Sequence, residues 1–174
     1  MTNIGNIIQG LTKSGALSGF AGGLAPGTPE QADRWANIDR DRFEAVVTAR
    51  ATDSGAGLLL LRAMIAAAAA DGHMDAAEKE RIFSEAQRLD LRAEDKAMLF
   101  DELRQPVSMC QLIAQVHNPE TAAEVYAASL LAIDRSRPEG QTYLRILADT
   151  LELPDGLVAS LHEQVNQARA DRGA

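Results

Sequence analysis

A single cysteine, only 4% aromatic residues and 17 basic against 25 acidic side chains are the scarcities of this 174-residue chain, and each one excludes something. With Cys110 alone there is no disulfide framework, no thiolate zinc site and no Cys-x-x-Cys redox chemistry. Placed between Met109 and Gln111 on a helical pattern, it is expected to be a small core hydrophobe, and the compartment is expected to be reducing and cytoplasmic. Few aromatics in a chain rich in alanine and leucine argue against a sheet and for closely packed helices, so the fold class expected is all-α. The deficit of base leaves a formal charge of −8, which argues against the basic stripe that nucleic-acid binding needs. Long apolar runs are missing too. Ala56 to Ala70, interrupted by Arg62, falls short of the roughly 20 residues that span a bilayer. No His-Glu-x-x-His, Gly-x-Ser-x-Gly or phosphate-cradling glycine loop occurs, and no enzyme is expected.

What is present is a 46% apolar chain, enough for one ordered domain. Residues 1–29 hold seven of the 13 glycines, no acid and one Lys13. Ile4, Ile7, Ile8 and Leu11 fall at helical spacing there, and a glycine-rich stretch follows. Three readings stand for residues 1–27: an unstructured tail, a peripheral membrane contact through residues 1–24, and a short helix that docks on a partner. No cationic region precedes an apolar core, so a signal peptide is not expected.

From residue 28 to 174 the chain reads as a series of capped helices. Thr28-Pro29-Glu30-Gln31 opens the first, whose apolar positions Trp35, Ile38, Phe43, Val46 and Val47 carry it to about Ala51, with Asp53-Ser54-Gly55 as its end. Leu58 to Ala70 is the second, with Gly72 at its left-handed C-terminal position. Asp75 and Glu78 form a capping box for the third, whose apolar face is Ile82, Phe83, Ala86 and Leu89. Ala93 to Leu103, Ser108 to Val116, Asn118 to Ile133, Pro138 to Leu151 and Pro154 onward complete a bundle of about eight helices. Within it, over about residues 56–168, a helix–acidic turn–helix unit occurs twice, once around Asp71 and once around Asp134. Two such hairpins can pack pseudo-symmetrically, which would bring their acidic turns to one end of the bundle.

The segment Leu61 to Glu78 (LRAMIAAAAADGHMDAAE), with Glu124 to Asp134 (EVYAASLLAID) and Tyr143 to Ala148 (YLRILA), resembles the TerB-like (tellurite-resistance type) helical family. Within it, the match is to the uncharacterised branch that includes the inner-membrane protein YebE. The resemblance implies an α-helical protein of a family with no established enzymatic activity, linked by context to membrane-associated stress or metal-resistance systems. It also implies a metal or partner site at the acids matching Asp71, Asp75, Glu78 and Asp134. The family's glutamate three residues before the second-motif tyrosine is replaced by Gly140 here, and residues 1–27 keep the family's glycines without its membrane-length apolar run.

The same four acids have a plainer reading. Asp75 and Glu78 are fully explained as N-cap and N3, and Asp71 as a solvated helix end. A divalent cation would need three or four of these oxygens to converge, and the spacing is not that of an EF-hand. His73 could add a ligand or bond a neighbouring acid, His117 suits a helix C-terminus, and His162 is expected at the surface. Met64, Met98 and Met109 read as core filler, and the alanine face Ala66–Ala70 as close internal packing or a homodimer seam. The function expected is a non-catalytic helical interaction module with a protein partner and no cofactor, the alternative being a weak divalent-cation sensor that uses the acidic turns.

Overall fold

In the computed structural model, which describes residues 54–70, 72–88 and 91–173, the regular secondary structure of the described residues is all helix. Seven helices occur among these residues: α1 (Ser54–Ala68), α2 (Ala76–Arg88), α3 (Ala93–Arg104), α4 (Met109–Ile113), α5 (Pro119–Ala132), α6 (Pro138–Thr150) and α7 (Asp155–Gly173). The expected all-α bundle is therefore what is found. The N-terminal stretch 1–27, the helix carrying Trp35 and Phe43, and Asp71 lie outside the described residues.

The centre of the bundle is α5, in which every residue from Thr121 to Ala132 is buried. A helix that is apolar nearly all round belongs inside, and alanine lets neighbours come close to it. Ala122, Ala123, Ala127 and Ala128 of α5 and Ala63, Ala66, Ala67 and Ala68 of α1 are all core residues. The α1–α5 pair is the most extensive helix contact in the fold. Ser129 fits this dry interface because its hydroxyl donates to the Val125 carbonyl at 2.9 Å within its own helix.

One charge interrupts the apolar run of α1, and the fold provides for it. Arg62 Nε donates to Glu102 Oε1 of α3 at 2.7 Å, and its NH1 donates to Gln115 Oε1 at 3.3 Å. Met98 takes part as well, its Sδ lying 3.0 Å from Arg62 NH2. Glu102 is only 7% exposed, so this pairing is what makes its burial tolerable.

Helix boundaries follow local chemistry. Ser108 and Gln111 close a reciprocal capping box on α4, and Asn118 Oδ1 accepts from the Thr121 amide at 2.8 Å ahead of Pro119. Gly72 has φ +78°, the left-handed conformation that ends α1. After α6 the same conformation falls on Glu152, φ +55°, in a Schellman arrangement: Leu153 N–H donates to Ala148 O at 3.0 Å and Glu152 N–H to Asp149 O at 3.1 Å.

Three expectations are corrected. Ser54 and Gly55 lie inside α1 rather than ending the helix before it, because packing of α1 on α5 outweighs their local turn preference. Cys110 is exposed, not core: α4 has five residues and its buried one is Leu112. His162 is half-buried, with its Nε2 3.0 Å from the Tyr126 hydroxyl.

Candidate functional site

The two hairpins of the internal repeat, α1–α2 and α5–α6, meet at their turns. Asp75 is the N-cap of α2, its Oδ1 accepting from the Glu78 amide at 2.8 Å, while Glu78 Oε2 accepts from the Asp75 amide at 2.9 Å. That is the capping box expected from the sequence. The second oxygen of Glu78 does something local spacing does not encode. Glu78 Oε1 accepts from the Asp134 amide at 3.2 Å, so one carboxylate braces its own helix start and the turn of the other hairpin. Glu78 is 3% exposed, and a carboxylate this covered is stable only with such donors around it.

Asp134 points its own carboxylate back into its turn. Oδ1 accepts from the Ser136 amide at 2.9 Å and the Ser136 hydroxyl at 2.7 Å, an Asx-type turn, and Oδ2 lies 3.5 Å from Arg137 Nε. Of the four acids singled out in the sequence, Glu78 and Asp134 are thus brought together and Asp75 is tied to Glu78. Asp71 lies outside the described residues. His73 is exposed. Among the described residues no three His, Cys, Asp or Glu side chains form a group that could hold a metal ion.

The junction is asymmetric, and glycine is the reason. Glu78 is the third residue of α2, and the third residue of α6 is Gly140. A Cβ at Gly140 would stand 2.4 Å from the Asp134 carbonyl oxygen and 3.2 Å from Ile133 Cγ1. Only a bare Cα allows α6 to start this close to the turn it follows. Glycine at this position is therefore matched to the backbone around it.

On a different face, α2 and α3 leave an apolar groove of about 220 Å³ between them. Ile65, Ile82, Ala86, Leu99 and Leu103 line it, with Phe83 and Phe100 as its aromatic wall, ring centroids 6.0 Å apart. Phe100 is 59% exposed, the most exposed large hydrophobe among the described residues. Among the described residues that line the groove, Lys96 is the charged one and none is an acid. Phe83 was legible as part of an apolar helix face. Phe100 was not distinguished from core, since the signal for it is exposure, which depends on how α3 sits against α2.

A family described as "Protein of unknown function (DUF533)" matches residues 4–165. A curated relative, the "Uncharacterized protein in ampR 5'region" of Yersinia enterocolitica, is 23% identical over 110 residues, covering 63% of this chain and 79% of the relative. No solved structure matches the chain. Among the described residues no helix is long and apolar enough to cross a membrane.

Proposed function

The chain belongs to the DUF533 family, and from that premise we propose that it is a non-catalytic helical interaction module whose partner docks in the Phe83–Phe100 groove. The observation that carries this reading is the exposure of Phe100 beside an apolar groove, greater than that of Ile146, the other exposed large hydrophobe among the described residues. Soluble surfaces rarely keep an aromatic anchor over an apolar cleft without a use for it. The occupant is an amphipathic helix of a protein partner: apolar side chains at i and i+3 or i+4 fill the groove, and acidic residues beside them face Lys96. The helix–acidic turn–helix duplication supports a TerB-like type, in the branch that includes YebE, and with it service in an envelope-stress or metal-resistance assembly at the inner membrane.

The test compares the proteins retained by the full chain and by its Phe100→Glu variant. Phe100 is exposed, so the variant is expected to melt with the parent while losing a partner that carries such a helix. Removing an aromatic anchor from the wall of the groove weakens binding by about tenfold or more. An unchanged set of retained proteins would contradict the reading.

A second reading, a divalent-cation sensor built on Asp71, Asp75, Glu78 and Asp134, is favoured by one observation. Glu78 Oε1 and the Asp134 amide at 3.2 Å bring the two turns within reach of each other, and a cation binding there would have to displace the backbone donors that both Glu78 oxygens now accept. Calorimetry with calcium, zinc and manganese separates the two readings. No heat and no thermal shift at millimolar metal would remove the sensor.

A further inference from the structure

We propose that the groove bounded by α5, α6 and α7 is a binding site for a small amphiphilic monocarboxylate, anchored by Arg135. The groove measures about 460 Å³, within the range of small-molecule sites. Its walls divide chemically. Leu144, Ala148, Leu153 and Val158 form an apolar side, and Tyr126, Arg135 and His162 form a polar end.

Arg135 is the unusual element. Arg62, Arg92, Arg137 and Arg145 each face a carboxylate. Arg135 faces neutral acceptors: NH1 lies 3.5 Å from His162 Nδ1, NH2 donates to Asn166 Oδ1, and Nε has no acceptor among the described residues. A guanidinium has five N–H donors in a planar fork suited to a carboxylate, and here no acid of the described residues takes it up. The bonding pattern also orients Tyr126. With His162 Nδ1 accepting from Arg135, the imidazole proton sits on Nε2 and donates to the Tyr126 oxygen at 3.0 Å. The phenol proton is then left to donate, so two donor groups share one end of the groove.

The rim decides the charge of the ligand. Asp149 and Asp155 stand there, and Arg145, 3.9 Å from Asp149, offsets only part of their charge. A second negative charge on the ligand would meet them, so a polyanion is disfavoured. One carboxylate on Arg135, with an apolar body along Leu144, Ala148, Leu153 and Val158, satisfies both walls. This site is independent of the Phe83–Phe100 groove and of any protein partner there.

The test is calorimetry of the full chain with octanoate, with citrate and inorganic phosphate as competitors, together with an NMR titration of the three histidine rings, His162 being assigned through His162→Gln. Octanoate is expected to bind saturably and to move the His162 titration midpoint upward, because a bound carboxylate offsets the Arg135 charge beside the imidazole. Arg135→Gln is expected to weaken octanoate by about tenfold or more, the loss of a charge-assisted hydrogen bond, with its cooperative melt intact. Should that variant not fold, Ala148→Met fills the apolar side without touching Arg135 and is expected to reduce binding likewise. No saturable heat at millimolar octanoate would overturn the proposal. So would undiminished binding in a folded Arg135→Gln or Ala148→Met chain, or competition by citrate or phosphate as strong as octanoate's own binding.

Discussion

Replacing Gly140 by alanine should destabilise the protein, although the same change in most helices does the opposite. Gly140 is in the first turn of α6 with ordinary helical geometry, so the added methyl group should gain about 1 kcal/mol of helix propensity. Against that, the new Cβ would lie 2.4 Å from the Asp134 carbonyl oxygen, and backbone is what must yield. Overpacking of this kind costs about 1–3 kcal/mol. Moving Asp134 also draws its amide off Glu78 Oε1, a hydrogen bond to a charged group worth about 1.5–3 kcal/mol. The opposing terms leave a net loss of about 3 kcal/mol, or about 9 °C in Tm for a domain of this size. Thermal melts by far-ultraviolet circular dichroism read the shift, and amide exchange at Asp134 should quicken with it. Gly140→Glu, which adds a longer side chain at the same crowded point, should be worse still. A Gly140→Ala chain that melts at or above the parent would refute the reasoning, since it would mean that the turn of one hairpin is not held against the other as described.

The remaining predictions concern single residues. Glu152→Gly should raise stability by about 1 kcal/mol, because Glu152 holds φ +55° in the position of a Schellman motif that glycine occupies without strain; denaturant unfolding reads it as a higher midpoint at unchanged slope. Arg62→Ala should cost about 3 kcal/mol by leaving the Glu102 carboxylate buried without its partner, and the double change Arg62→Met with Glu102→Leu should recover most of the loss. Both tyrosines are held neutral by burial, Tyr126 and Tyr143 each pushed up to about 12. A phenol whose folded value lies above its unfolded one adds stability below pH 10 that is lost as pH rises from about 10 towards 12. Phenolate absorbance should therefore stay low past pH 10 and then rise together with unfolding, whereas a smooth titration centred at pH 10 in the native chain would contradict the burial of both rings.

Much of the fold could be read from the chain because helix starts are local. Asp75 with Glu78, Ser108 with Gln111, and Asn118 ahead of Pro119 each act within four residues, and each caps where its spacing indicates. The alanine runs of α1 and α5 were equally informative, since small side chains on two helices have an obvious use in bringing them together. The meeting of the two acidic turns followed from the repeat, but its chemistry did not. That Glu78 receives the Asp134 amide depends on a pairing 56 residues apart in sequence. Cys110 and His162 were misplaced for the same physical reason: which face of a short or terminal helix is covered is decided by its neighbours, not by its own periodicity. Phe100 belongs with them, because an exposed anchor and a core aromatic look alike until α2 and α3 are set side by side.

What occupies the groove at Phe100 decides what the protein does. A photo-crosslinking phenylalanine analogue placed at position 100 of the full chain, activated in cells and followed by mass spectrometry of the adduct, reads that occupant directly. The prediction is an adduct with a different protein, through a segment whose apolar residues recur at helical spacing beside acidic ones. Adducts confined to this chain's own residues 1–53, or to a second copy of it, would contradict the claim that the groove receives a partner helix.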